Sequence, residues 1–388
     1  MTTDLRAWAE IDLDAIGHNT AEIKKKLSKN THLMGVVKAN AYGHGVRQTA
    51  KVLLENGANQ LAVAFADEAV ELRRAGFDVP ILVLGNSPDS DLNKLIDFDI
   101  MPTVSDYFFA ERLSQAADAS GKKVKVHIKL DTGMSRIGFL ADDVNTVDEI
   151  LKISKLPHIQ IEGMFSHLAV ADEYDDNYTR MQFDRFMTVA KRLEEKGLNI
   201  PVKHICNSAG LLKFPEMHLD MVRAGIVLYG IYPSSDFDKS MIDLKPSMAF
   251  KSRVSHIKVL DKGTTLSYGR TYTLKNSAKI ATVSVGYADG YMRSLSNKAI
   301  VSVDGCVVKQ TGRICMDQCM IDVTTVNNIN VGDEVILFGG SGKISAENTA
   351  ELIGTIGYEL VCAVGRRVPR IYIRDGEVTE VSKYLLDT

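Results

Sequence analysis

Residues 32–45 read HLMGVVKANAYGHG, an apolar run that ends on Lys38 and breaks at once into small residues and two glycines. A short Val/Ile-rich run bounded by turn-forming residues is the pattern of a strand buried on both faces. The run His32–Lys38 is the first of a series. Leu61–Phe65, Ile81–Leu84, Ile100–Val104, Val124–Leu130, Ile161–His167, Val202–Cys206 and Leu219–Val222 repeat it, several ending at Gly, Asn, Asp or Ser. Between them lie segments of helical character. Asp67–Gly76 (DEAVELRRAG) opens on acids and closes on Arg, Arg and Gly, matching the helix dipole and a glycine C-cap. Asp184–Gly197 has the same polarity, with apolar residues at helical spacing. Strands alternating with helices in this way predict an α/β fold, a (β/α)8 TIM-type barrel over residues 15–240. A doubly wound sheet is the structural alternative, but no G-x-G-x-x-G follows the first strand.

The character changes near Tyr232–Pro246. Beyond it, Met248–Leu260, Ala278–Gly286, Ala299–Lys309, Cys319–Val323 and Glu334–Phe338 read as short strands, with Asp304-Gly305, Gly332-Asp333 and Gly339-Gly340 as turns. A mostly β domain over 241–388 is predicted. Ala7–Asp14 (AWAEIDLD) alternates like a strand, so residues 1–14 are expected to join that domain.

The bulk properties exclude several classes. The 388 residues are comfortable for two domains, and the net charge of −3 gives no general attraction to nucleic acid or an anionic membrane. No apolar stretch approaches a membrane span, and Met1–Glu10 has no signal-peptide core. A cytoplasmic protein is expected. Cys206, Cys306, Cys315, Cys319 and Cys362 are odd in number and scattered, against a disulfide framework. Cys315 and Cys319 form no CxxC pair and no His cluster supports them, so no metal is expected.

Lys38 carries the chemistry most directly. Lysine is rarely buried without a partner, and at a barrel strand's C-terminal end it would project into the active-site mouth. Desolvation there lowers an amine's pKa and makes it a nucleophile toward aldehydes. Position alone also fits a solvated loop lysine. The small residues and glycines after it would let the backbone approach a bound anion.

At this point the chain resembles a known family. VVKANAYGHG (36–45) closely matches the motif around the cofactor lysine of bacterial alanine racemases, which use pyridoxal 5'-phosphate (PLP). HIKLDTGMSRIG (127–138), VRAGIVLY (222–229), LSYGR (266–270), VGYADGY (285–291) and GRICMD (312–317) follow in the expected order. The resemblance implies an isomerase that interconverts L- and D-alanine, supplying D-alanine for peptidoglycan, as a homodimer with active sites shared between subunits.

It also implies roles for residues. Lys38 would hold PLP and, once released, act as one base, while Tyr268 from the partner subunit would be the other. Racemisation removes a proton from one face of Cα and returns it on the opposite face, which two opposed bases do directly. Tyr42, Ser208, Gly225, Ile226 and Tyr358 match phosphate contacts, and small residues with backbone N–H groups suit a phosphate dianion. Arg223 would face the pyridine nitrogen, supported by His204. A guanidinium does not surrender its proton, so that nitrogen would stay largely unprotonated and the ring a weaker electron sink. His167 would hydrogen-bond the tyrosine. Arg136 would contact the PLP phenolic oxygen and the substrate carboxylate, positioned by Lys129, which is often carbamylated in the family. Met316, through its N–H, and Asp317 match residues at the partner's substrate carboxylate. Tyr287 and Tyr358 match the inner ring of the access channel, and Asp172, Arg293 and Arg313 its outer ring. Without the family pattern these last residues would read as solvated charges or interface aromatics.

Three alternatives stand beside this reading. A PLP decarboxylase of the same architecture would place a carboxylate opposite the pyridine nitrogen and a cysteine in the β domain, and Arg223 and Tyr268 oppose it. A non-enzymatic PLP-binding protein would be a lone barrel, and the β domain opposes that. A serine or broad-specificity racemase would use the same reacting groups.

Overall fold

The computed structural model describes residues 5–340 and 342–386. Residues 1–4, 341, 387 and 388, which fall within the expected spans 1–14 and 241–388, lie outside the described residues. Parallel strands pair in the order Met221–Ala224, His32–Val36, Gln60–Val63, Ile81–Val83, Met101–Val104, Val124–Asp131, Ile159–Phe165 and Val202–His204. Arg223 donates its N–H to the Cys206 carbonyl, and Asp220 to the Lys203 carbonyl, both at 3.1 Å. The last strand thereby returns to the first, and the sheet is a nearly closed (β/α)8 barrel. Residues such as Leu61, Ile81, Val83, Val104, Ile128 and Met164 are wholly buried, as strands covered by helices outside and side chains inside require. Among the described residues no helix is long and apolar enough to cross a membrane.

The second sheet runs in the order Ala278–Val283, Cys319–Asp322, Cys306–Thr311, Ile300–Val303, Glu334–Gly339, Met248–Leu260, Ala7–Asp12, Arg370–Arg374, Glu377–Ser382. The long strand Met248–Leu260 also pairs with Ala278–Val283, which curls the sheet on itself. Ala7–Asp12 lies inside this sheet, antiparallel to Met248–Leu260 and parallel to Arg370–Arg374.

Several boundaries differ from the sequence reading, each for a local reason. The N-terminal strand stops at Asp12 rather than Asp14, because the Asp12 carboxylate accepts from the Ala15 N–H at 2.8 Å and caps the helix Leu13–Lys26. Leu219 takes a left-handed φ of 51°, so the eighth barrel strand is Met221–Ala224 and not Leu219–Val222. The helix expected from Asp184 begins seven residues earlier, at Asn177. Ala299–Lys309 is a hairpin of two strands turning at Asp304-Gly305, both at positive φ. Ile161–His167 ends at Phe165, and Ala278–Gly286 ends at Val283. The hairpin Arg370–Arg374 and Glu377–Ser382 was not anticipated.

The first barrel strand ends at Val36, and the chain then enters a conformation that no sequence pattern announced. Ala39, Asn40, Ala41 and Tyr42 all have left-handed backbones, with φ from 51° to 55°, and Gly43 follows at 82°. This is a single left-handed helical turn made of residues that pay for positive φ at about 1–2 kcal/mol each. Its surroundings over-determine it. Glu68 accepts the Ala39 N–H at 2.6 Å and the Ala64 N–H at 2.8 Å, tying the turn to the next strand's end. The Asn40 side chain accepts from the Val46 N–H at 2.8 Å and donates to the Tyr384 hydroxyl at 3.0 Å. Buried His44, its pKa pulled down to about 4 by burial, donates from Nδ1 to the Ala41 and Tyr42 carbonyls. Arg370 of the β domain donates to the Gly43 carbonyl at 2.9 Å.

Gly43 and Gly76 separate two costs. Both lie at positive φ, but a Cβ on Gly43 would stand 2.4 Å from the Val361 carbonyl oxygen, whereas none meets anything within 4 Å on Gly76. Gly76→Ala is expected to lower unfolding free energy by about 1 kcal/mol and Gly43→Ala by about 3 kcal/mol or more. Urea-unfolding midpoints measure both, and equal losses would refute the close packing of the turn.

Candidate active site

The left-handed turn delivers Lys38 and Tyr42 to the wall of one cavity of about 670 Å³ at the mouth of the barrel. Lys129, Arg136, His167, Asp172, Ser208, Arg223, Gly225, Ile226 and Tyr358 line it as well. Each strand end contributes what its position allows. Lys129 sits near the end of Val124–Asp131, His167 just past Ile159–Phe165, Ser208 after Val202–His204, and Arg223 within Met221–Ala224.

Burial lowers the Lys38 pKa from the ordinary lysine value, and the nearby Arg136 charge lowers it further. Lys129 is pulled down to about 7, first by burial and then by Arg223. Its amine donates to the Leu130 carbonyl at 2.6 Å and the Ile137 carbonyl at 3.3 Å. Burial also draws Arg223 down to about 10, which leaves it charged at neutral pH.

The donors of Arg223 are almost fully committed. Nη1 donates to His204 Nδ1 at 2.8 Å and to the His204 carbonyl at 3.3 Å. Nη2 donates to the carbonyls of Ser166 at 2.7 Å and Ile205 at 2.9 Å, with His167 Nδ1 farther off at 3.4 Å. Among the described residues the Nε–H is the donor left over, on a side chain that lines the cavity. Phe165 supports the group from one side. Its ring centroid lies 5.3 Å from the guanidinium and stacks on His204 at 5.0 Å.

Opposite, Tyr42, Ser208 and Gly225 form a cradle. Ser208 Oγ accepts the Gly225 N–H at 3.0 Å. A Cβ added at Gly225 would stand 2.9 Å from the Tyr42 hydroxyl, so the hollow exists because this residue has no side chain. Burial raises the Tyr42 and Tyr358 pKa values, keeping both hydroxyls protonated donors. A hollow rimmed by hydroxyl and backbone donors, an amine whose charge burial disfavours and one spare guanidinium N–H suit the phosphate, aldehyde and pyridine nitrogen of PLP respectively. The residues present fit the group.

The remaining sequence candidates lie elsewhere. His204 is behind Arg223, outside the cavity wall. Tyr268, Tyr287, Arg293, Arg313, Met316 and Asp317 do not line the cavity; they gather on the β domain. Ser267 Oγ donates to the Arg313 carbonyl at 2.6 Å, fixing the Tyr268 turn. Tyr287 and Ala288 donate their N–H groups to the Cys315 and Met316 carbonyls at 3.0 Å. The Ile314 N–H donates at 3.0 Å to Ser296 Oγ, beside Arg293. Asp317 pairs with Arg367 at 2.8 Å. Tyr268 is 72% exposed and Met316 53% exposed. Sequence reading missed Glu68, Phe165 and His127, and also Cys362 and Asn86 on the cavity wall. For Glu68 the only signal was an acid in a helix's first turn.

The description "Alanine racemase, N-terminal domain" fits residues 11–233 as a family model, and "Alanine racemase, C-terminal domain" fits residues 247–372. The chain is 49% identical over 381 residues to an alanine racemase of Clostridium tetani, covering 97% of this chain and 98% of that protein. It superposes on a Clostridium difficile 630 alanine racemase with TM-score 0.96 at 42% identity, covering 98% and 99% of the two chains. A Bacillus anthracis alanine racemase with bound L-Ala-P matches with TM-score 0.93 at 40% identity over 99% of both chains.

The depressed Lys129 has a measurable sign. The folded chain binds fewer protons at this amine than the unfolded chain between about pH 7 and the ordinary value of 10.5. Stability at this position therefore rises with pH across that window, and below it the folded state bears the full cost of a buried charge. Lys129→Met removes that cost. In bicarbonate-free buffer the substitution should be more favourable at pH 6.5 than at pH 9.5 by about 3 kcal/mol, read from paired urea titrations. A pH-independent difference would show that the amine titrates normally.

Proposed function

The chain belongs to the alanine racemase family, and from that premise we propose that it racemises alanine by proton exchange between Lys38 and a partner subunit's Tyr268. The observation that carries the reading is the cavity itself, where a desolvated lysine, a spare Arg223 N–H and the hollow left by Gly225 beside Tyr42 and Ser208 converge. PLP, when bound, supplies an aldehyde carbon that links to the substrate nitrogen and a conjugated ring that spreads the charge left when Cα loses its proton.

The chain's own residues do the rest. Lys38, uncharged more readily than a surface lysine, takes or returns the Cα proton on one face. Arg223, with its Nε–H left over, would hold the ring nitrogen and, because it stays charged, would keep that nitrogen from acquiring a proton of its own. By sparing that nitrogen a proton, Arg223 would favour return of the proton to Cα over its transfer elsewhere. Tyr42, Ser208, Gly225, Ile226 and Tyr358 bind the phosphate. Arg136 holds the substrate carboxylate. Lys129, with a pKa near neutrality, has the uncharged amine that adds carbon dioxide: an N–C bond forms, a proton leaves, and the resulting carbamate would pair with Arg136.

The opposite face needs a second base, and the single chain's cavity has Tyr268 nowhere on its wall. The exposed β-domain cluster of Tyr268, Tyr287, Arg293, Arg313, Met316 and Asp317 supports a homodimer in which each subunit closes the other's cavity. Tyr268 would act as the second base, His167 would hydrogen-bond it, and the Met316 N–H would meet the substrate carboxylate. Asp172, Tyr287, Tyr358, Arg293 and Arg313 would narrow the approach and favour a methyl side chain. We assign the enzyme to the cytoplasm and its product, D-alanine, to peptidoglycan.

Purified protein supplied with PLP and L-alanine should bring the two enantiomers to equal amounts by chiral chromatography, and no D-alanine would refute the assignment. Borohydride reduction should fix the pyridoxyl label on Lys38. The shared site has its own test. Lys38→Ala and Tyr268→Phe proteins are each expected to be inactive, yet mixing them under subunit exchange should restore up to roughly a quarter of wild-type activity, since about half the dimers are mixed and each has one complete site. No recovery after verified exchange would place both groups in one chain.

A further inference from the structure

Behind Arg223 the hydrogen bonds run in one direction. His127 lies two residues before Lys129 on the strand Val124–Asp131, so both project to the same side of the sheet. It is wholly buried. Its Nδ1 lies 2.9 Å from His204 Nε2, and His204 Nδ1 lies 2.8 Å from Arg223 Nη1. A guanidinium donates and never accepts. His204 Nδ1 must therefore be an acceptor without a proton. A neutral imidazole carries one N–H, so His204 bears it on Nε2 and donates to His127 Nδ1. His127 in turn carries its proton on Nε2, which is buried and has no partner among the described residues.

That orphaned N–H is what a purely structural histidine would avoid, since an apolar residue would fill the space without it. The site is nevertheless shaped for this ring. A Cβ on Gly163 would stand 2.3 Å from His127 Cε1 and 2.4 Å from Nδ1, so a larger residue there would displace it. Burial, and then the charge of Arg223, push the His127 pKa down to about 3 and that of His204 well below the ordinary value. Both rings are thus neutral, and the tautomers follow from geometry alone.

We propose that His127 is a positioning residue for Arg223: by accepting the His204 Nε2–H it fixes the tautomer that offers Nδ1 to the guanidinium, and so holds the Arg223 Nε–H on the cofactor's ring nitrogen. The proposal rests on the reading of Arg223 as the ring's partner. Without His127, His204 is free to carry its proton on Nδ1, which sets two donors against each other and turns the guanidinium.

Two substitutions separate this role from packing. His127→Leu fills the space but offers no acceptor. His127→Asn hangs an acceptor oxygen from the same Cγ that bears Nδ1. In cofactor-free protein labelled with 15N-histidine, long-range 1H–15N spectra should give His204 as the Nε2–H tautomer in wild type and His127→Asn, and move it toward Nδ1–H in His127→Leu. In holoenzyme, His127→Leu should raise the ratio of transamination to racemisation about tenfold, with His127→Asn near wild type. Transamination passes the amino group of alanine to the cofactor, and the pyruvate released measures it. Gly163→Ala, which displaces the ring without removing it, should move both readouts as His127→Leu does, and serves where the leucine variant fails to fold. A His204 tautomer unchanged in these variants overturns the relay. A changed tautomer with an unchanged product ratio, where Arg223→Ala does change the ratio, overturns the positioning role. A ratio that Arg223→Ala also leaves unmoved overturns the ring contact itself.

Discussion

Everything at the barrel mouth depends on a backbone held in the wrong hand. Ala39–Tyr42 form a left-handed turn whose intrinsic cost is on the order of 4–8 kcal/mol for four residues. None of the four is glycine, so the conformation survives only because its partners outnumber its penalties. Glu68 grips its first N–H, Asn40 and His44 tie its middle, and Arg370 and Tyr384 reach it from the β domain. The return is placement. Lys38 and Tyr42, four residues apart, both end on the cavity wall, one at the reacting end and one at the cradle, on a backbone with few other options.

The second organising effect is a shared positive field. Lys38, Lys129, Arg136 and Arg223 surround one cavity, against the two carboxylates of Asp172 and Glu359 on its wall. The field draws a phosphate dianion and a substrate carboxylate to the same place. It also has an internal consequence, because charges that cannot be discharged suppress those that can. Arg223 stays protonated, while the Lys129 pKa falls to about 7 and that of Lys38 is lowered. His167 and His204, packed against the same guanidinium, remain neutral. Burial comes first for each of these groups, and the charge of Arg223 then pushes Lys129, His167 and His204 the same way, as Arg136 does Lys38.

The barrel was legible in the sequence because parallel strands buried on both faces leave unbroken apolar runs, as in Val124–Leu130. Boundaries slipped where a side chain or a φ angle decides the matter rather than hydrophobicity, at Asp12 and Leu219. The closing strand Glu377–Ser382 was missed because it is mostly exposed and carries no apolar alternation. In the candidate site, motif matching found the residues that line the cavity and those on the β domain alike, but nothing in a linear motif says that the two groups lie apart in one chain. Glu68 and His127 stayed hidden for a different reason. Each acts through another residue, and each occupies a position that ordinary helix or strand logic already explains.

The strand Ala7–Asp12 sits between Met248–Leu260 and Arg370–Arg374, so its two neighbours lie hundreds of residues downstream. A ribosome releases it long before either exists. It must wait, unpaired, while the barrel between them is made, and contacts of such sequence separation form slowly. The later of these neighbours, Arg370–Arg374, also brings Arg370, which secures the turn after Lys38. The reactive lysine is therefore fully set only after Arg370 has been made, more than three hundred residues later. Until then the chain exposes a half-built sheet, the kind of surface that chaperones and proteases recognise, and the arrival of Arg370–Arg374 and Glu377–Ser382 both completes the sheet and locks the site.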